Sequence, residues 1–190
     1  MGNQVSVLFA RSDSNYKKML GCDVWDKDRD ARNYIGANPV ICHPPCRGWG
    51  RLRKFANPEP GELELAGFAV DQVRRCGGVL EHPAFSNLWE AAGLPGPGKG
   101  RDIFGGWTLP IAQFWWGHRA NKATWLYIVG CEMGEIPDIP IVLGEASHVI
   151  SRSRGRQKRP EVTKAEREHT PPELCRWLFD LAVRCGGDNG

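Results

Sequence analysis

The segment Pro39-Val40-Ile41-Cys42-His43-Pro44-Pro45-Cys46 is the strongest constraint on how this chain can fold. Its apolar run suits a strand, and Pro44-Pro45 stops that strand, because proline has no amide to give to a central ladder. Cys46 is thereby set at the strand's carboxyl end. Residues 62–76 follow with helical spacing: Leu65, Ala66, Ala69, Val70 and Val73 share one face, and Gly77-Gly78 marks a C-terminal cap. Val79 and Leu80 then enter another strand that ends at Glu81. Strand, helix and strand with short connections are the pattern of a parallel sheet with crossover helices. Neighbouring parallel strands would bring Cys46 and Glu81 to one sheet edge, where α/β folds place ligands.

The flanking segments extend this pattern. Residues 5–10 read as a central strand broken by a polar stretch at 11–15, residues 16–21 as a brief helix, and residues 22–26 as a strand ending in the Asp26 carboxylate. Residues 95–106, rich in Gly and Pro, read as a surface loop. The β signal returns at 113–116 and 124–129, on either side of the basic loop His118-Arg119-Ala120-Asn121-Lys122. A last helix is signalled by Thr170 as N-cap, Pro171 in the first turn and Glu173 completing a capping box. Leu174, Trp177, Leu178, Leu181 and Ala182 form its apolar face, and Gly186-Gly187 ends it. Residues 151–159 hold five Arg or Lys in nine positions, the pattern of a solvated linker or of an arm gripping phosphates. No internal repeat or second domain is evident.

Composition excludes some classes of protein. With 41% hydrophobic and 25% charged residues, the chain is not mostly disordered, and no apolar run approaches the roughly 18 residues of a membrane span. A net charge of +3 permits contact with nucleic acid without requiring it. The seven cysteines are scattered, and the opening Met-Gly-Asn-Gln-Val lacks the basic segment of a secretory leader, so free thiols in a reducing cytoplasm are expected. Met1-Gly2 with Ser6 matches a myristoylation start only by chance, since the strand begins at once. Five of the eight tryptophans fall between Trp89 and Trp125, where they can line a base pocket or fill a core.

The chemistry concentrates at Cys46 and Glu81. A cysteine at a sheet edge is a competent nucleophile if its pKa is lowered, and His43 and Arg47 are the adjacent groups that could lower it. A thiolate beside a carboxylic acid suits attack on C6 of a pyrimidine. Addition saturates the ring and makes C5 nucleophilic, while the acid protonates or hydrogen-bonds N3. A metal site is an alternative, because Cys42, His43 and Cys46 lie within five residues and His82 or His118 could join them. Strand alternation, however, turns Cys42 and His43 to opposite faces.

Pro44-Pro45-Cys46 resembles the catalytic Pro-Cys motif of DNA cytosine-5 methyltransferases, and Leu80-Glu81-His82-Pro83 resembles their Glu-Asn-Val or Glu-Asn-Pro motif. Ser86-Asn87-Leu88-Trp89, Phe104-Gly105-Gly106 and Lys122-Ala123-Thr124-Trp125-Leu126 are similar to phage-type members. The resemblance implies an α/β fold, a Rossmann-like methyltransferase-type three-layer sandwich with a mostly parallel sheet, in abbreviated form. It implies a core at 1–150, a basic linker at 151–169 and a helix at 170–190 packing back on the core, one domain overall. It further implies Cys46 as nucleophile and Glu81 as acid, with S-adenosylmethionine held by Phe9, Arg11, Asp13, Asp26 and Thr170. His43, Arg47, His82, Gln113, His118, Arg119 and Lys122 would hold the substrate, DNA or a pyrimidine nucleotide, in the cytoplasm of a bacterial host carrying a phage or prophage. The chain departs from the family in the turn after the first strand, which has no glycine, and in lacking a target-recognition domain and a clear Gln-x-Arg-x-Arg motif. A non-catalytic relative that binds DNA without the cofactor is the second expectation.

Overall fold

A computed structural model describes residues 4–51, 53–151 and 159–187. Six strands, β1 (Val5–Leu8), β2 (Cys22–Trp25), β3 (Val40–Cys42), β4 (Gly78–Pro83), β5 (Trp107–Ala112) and β6 (Ala123–Val129), form one sheet in the order β2-β1-β3-β4-β6-β5. The first four are mutually parallel, and β6 runs antiparallel to both β4 and β5. The helices are α1 (Glu62–Cys76), α2 (Leu88–Ala91), α3 (Lys164–Glu168) and α4 (Pro172–Cys185). The result is an α/β fold with a mostly parallel sheet and helices on both faces.

The layers follow from strand alternation. Val5, Val7, Ile41, Val79, Leu126 and Ile128 pack on one face against Leu174, Leu178 and Leu181 of α4. Leu8, Val40, Cys42, Leu80 and Tyr127 pack on the other against Ala66, Ala69, Val70 and Val73 of α1. Strands covered on both faces must be apolar at successive positions, which is why the short runs carry so little polar residue. The crossing from α1 into β4 depends on glycine. Gly77 (φ 73°) ends the helix and Gly78 (φ 121°) starts the strand so close to β3 that a β-carbon there would run into the Val40 backbone.

Three local expectations change. Residues 113–116 are a 3₁₀ helix rather than a strand, and the strand lies just before them as β5. Pro110 obscures that strand in the sequence, yet it is tolerated because β5 is at the sheet edge and Pro110 is exposed. Residues 16–21 contribute only a 3₁₀ turn, Asn15–Lys18. The capping box of α4 does not form: Pro171 is the N-cap, and Glu173 pairs with Arg176 at 2.5 Å. The Thr170 carbonyl instead accepts from Asn15 Nδ2 (3.0 Å). Most of the basic stretch 151–159 lies outside the described residues, as does the Met1-Gly2 start. No helix among the described residues is long and apolar enough to cross a membrane.

Because α4 forms one whole layer, Leu178→Ala should destabilise the fold by about 2–5 kcal/mol in urea unfolding. Leu20→Ala, at a side chain that is 97% exposed, should change it by less than about 0.5 kcal/mol. Helical ellipticity and tryptophan fluorescence should lose signal in one shared transition.

Candidate functional site

The carboxyl ends of β1, β3 and β4 meet the start of β6 at one edge of the sheet. Past β3, the His43 amide still donates to the Leu8 carbonyl (3.0 Å), and the two prolines then end the ladder. The Cys46 carbonyl accepts from the amides of Trp49 (3.0 Å) and Gly50 (2.9 Å), which closes the turn that carries Cys46. Of the seven free cysteines, Cys46 is the exposed one.

Glu81 is buried and is the hub of the site. His43 Nδ1 lies 3.1 Å from one carboxylate oxygen, and Gln113 Nε2 donates to the other (2.9 Å) and to Thr124 Oγ1 (3.1 Å). His43 Nε2 is 3.1 Å from the hydroxyl of Tyr16, a fully buried side chain. Burial raises the Tyr16 pKa well above its ordinary value. With a neutral His43, Tyr16 therefore donates to Nε2, and Nδ1–H donates to Glu81. Burial alone would raise the Glu81 pKa, but the Lys122 charge and the His43 hydrogen bond outweigh it and bring it down to about 2. Glu81 is thus an ionised acceptor, and the expectation that it works as an acid is corrected. Each oxygen keeps a second acceptor position for an N–H of a bound molecule.

The electrostatics around Cys46 also differ from expectation. Crowding by the surrounding walls, followed by the Glu81 charge, pushes its pKa up, and Lys122 opposes this. Arg47 does not activate the thiol, because it turns toward α1 and donates to Glu62 Oε1 (2.6 Å). His43 is held by Tyr16 and Glu81. Lys122 takes the role expected of them: its half-buried ammonium has no hydrogen-bond or ion-pair partner among the described residues.

The remaining expected substrate contacts are mostly structural. His82 is fully buried beside Trp89 (ring centroids 6.3 Å), and burial lowers its pKa to about 4. Neither of its nitrogens has a well-formed hydrogen bond, the Pro45 carbonyl offering only a weak contact. It cannot touch a substrate without repacking. His118 is also buried, accepting from the Ala120 amide (3.0 Å) and facing the Glu166 carbonyl (3.3 Å), so it is not an exposed loop residue. Arg119 is paired with Glu166. Gln113 acts through Glu81. Cys42 belongs to the core against α1, and no group of three metal-ligating side chains converges among the described residues.

The β1 turn does not fit S-adenosylmethionine. Phe9 adopts φ 60° and packs edge-on against Phe68 (6.1 Å), a conformation that is uncommon without glycine. Arg11 is tied to Asp13 (2.9 Å) and across to Glu168 (2.6 Å), and His169 Nε2 reaches Asp13 (3.1 Å), so the segment holding α3 covers the turn. Asp26 already accepts from Lys17 Nζ (2.5 Å) and from the amides of Asp28 and Arg29, leaving little for a ribose. Thr170 is engaged through its carbonyl. In the Glu81 network, Tyr16 carried no motif signal, and Thr124 lay within the stretch Lys122-Ala123-Thr124-Trp125-Leu126 with no role assigned to it. The chain matches no family model, no curated protein and no solved structure.

Two outcomes follow. Iodoacetamide should label Cys46 first, as read by peptide mass spectrometry. Glu81→Gln should move the labelling profile to lower pH and Lys122→Met to higher pH; unchanged profiles would break the electrostatic account. Stability should also fall on acidification in two windows. His82 and Glu81 both have depressed pKa values in the fold, so each contributes stability that is present above its ordinary value and lost as pH falls toward the folded one. The windows are from about 6.5 to about 4 for His82 and from about 4.5 to about 2 for Glu81, each worth on the order of 3 kcal/mol. His82→Gln should flatten the upper window in urea titrations.

Proposed function

We propose that the protein modifies a pyrimidine base of nucleic acid, DNA in the first instance, through covalent attack by Cys46. The observation that carries this reading is the meeting of an exposed cysteine, an ionised acceptor and a cation that makes no direct ion pair among the described residues, at one sheet edge. The likeness of Pro44-Pro45-Cys46 and Leu80-Glu81-His82-Pro83 to cytosine-5 methyltransferase motifs supports it, and the mostly parallel sheet with helices on both faces is compatible with a Rossmann-like methyltransferase-type sandwich.

In this reading the Cys46 thiolate forms a bond to C6, and the C5=C6 electron pair moves to C5. Lys122 stabilises the thiolate beforehand and balances negative charge pushed onto the ring. Glu81 accepts from the exocyclic amino group of cytosine or from N3–H of uracil. His43 and Gln113 fix the Glu81 carboxylate, and Tyr16 fixes the His43 tautomer. C5 then takes a proton from solvent. Loss of the original C5 hydrogen and expulsion of Cys46 restore the ring. The β1 turn does not fit S-adenosylmethionine, and this exchange needs no group donor. The same misfit favours a second reading, a DNA-binding relative that has lost catalysis.

Exchange of the pyrimidine C5 hydrogen with solvent separates the two, since it needs thiolate addition but no donor. Tritium release from an oligonucleotide labelled at cytosine C5 should be catalysed by the wild type and abolished in Cys46→Ser, with the melting curve unchanged. Absence of release from the wild type, with oligonucleotide binding intact, would favour the non-catalytic reading.

A further inference from the structure

Beside the Cys46 site lies a feature that the proposed chemistry leaves unused. Phe85, in the turn after β4, is 66% exposed and adopts φ 62°. An aromatic residue in the left-handed region is strained, and such strain persists only where surrounding structure enforces it. Here both flanks of the turn are pinned. The Ala84 amide donates to the Ala123 carbonyl (3.1 Å), and the Asn87 amide donates to the Trp49 carbonyl (3.1 Å). The ring itself rests 5.0 Å from the half-buried Trp125, which meets Trp89 edge-on at 5.4 Å. Trp89 is fixed in turn by its Nε1–H bond to Thr108 (2.9 Å). An exposed ring is therefore presented on a rigid aromatic base.

A basic residue adjoins each flank of the turn. Lys122, whose charge acts on Glu81 without a direct ion pair among the described residues, immediately precedes the Ala123 that pins the turn on one side. On the other, Asn87, with its amide oxygen turned toward the guanidinium, accepts from Arg53 Nη2 (3.1 Å) and Nε (3.3 Å). Among the described residues Arg53 makes no ion pair, and it sits in a chain segment with exposed Arg51 and Lys54. An exposed ring on a turn whose flanks adjoin basic residues fits a stacked base with phosphates nearby.

We infer that Phe85 is a base-stacking platform for single-stranded nucleic acid, with Arg53 and Lys122 as its phosphate contacts. Stacking needs an unpaired base, so a duplex should bind less well. The inference rests on the nucleic-acid reading above for its occupant but does not depend on Cys46 chemistry.

Fluorescence anisotropy with labelled oligothymidine, oligouridine and the matching duplex tests it. Wild type and Cys46→Ser should bind the single strands alike and the duplex more weakly, and a preference between the two single strands would identify the polymer. Phe85→Gly should weaken single-strand binding by about tenfold. It should also leave the melting temperature unchanged or raised, because glycine accepts φ 62° without strain. Phe85→Trp should restore binding, and Arg53→Ala should reduce the salt slope by about 0.7. Binding by Phe85→Gly equal to wild type, or a duplex preference, would overturn the inference. If Phe85→Gly loses binding while the wild type releases no tritium, the platform stands and the covalent reading falls. The reverse pattern removes only the platform.

Discussion

A buried carboxylate that stays ionised organises this edge of the molecule. Glu81 sits on a central strand, where an unpaired charge would be costly, and three elements supply what it needs. His43 comes from the end of β3, Gln113 from the 3₁₀ helix after β5, and Lys122 from the start of β6. Tyr16, from the turn between β1 and β2, reaches the same network through His43. Removing one partner of such a cluster leaves an uncompensated buried charge, which typically costs about 3–5 kcal/mol. The network therefore fixes where five chain segments end relative to one another, and in doing so it sets the surface on which Cys46 and Phe85 stand.

The same arrangement decides chemical roles. A carboxylate held at such low pKa accepts hydrogen bonds and does not hand over protons, so proton movement at this edge falls to solvent or to imidazole. The thiol faces the opposite situation. Burial and the field of Glu81 disfavour the thiolate, and the Lys122 charge together with a backbone hydrogen bond counters them. Its reactivity is consequently coupled to whatever neutralises Glu81 or engages Lys122.

Strain marks the same region. Two of the three non-glycine residues with positive φ among those described, Phe9 and Phe85, follow strands β1 and β4 on this edge. They are held differently. Phe9 packs onto α1 beneath a turn covered by the segment holding α3, whereas Phe85 projects into solvent on a tryptophan base. A closed β1 side and an open β4 side point to a molecule whose contacts with other chemistry are gathered around Cys46, Lys122 and Phe85.

From its sequence alone, the chain disclosed the β3–α1–β4 unit almost to the residue, because continuous apolar runs, helical spacing and paired glycines act locally. The apolar face of α4 was equally legible, and Cys46 and Glu81 could be set at one edge by parallel pairing. The partners of those two residues could not be read. His43 and Arg47 are neighbours of Cys46 in the chain, yet one turns to Glu81 and Tyr16 and the other to Glu62. Lys122, Thr124 and Tyr16 arrive from distant segments, and burial gave His82 and His118 structural roles that residue type does not reveal. Strand and helix follow from local periodicity and backbone sterics. The charge state of a carboxylate, the reach of a cation and the exposure of a ring depend on what packs around them, and only tertiary structure decides that.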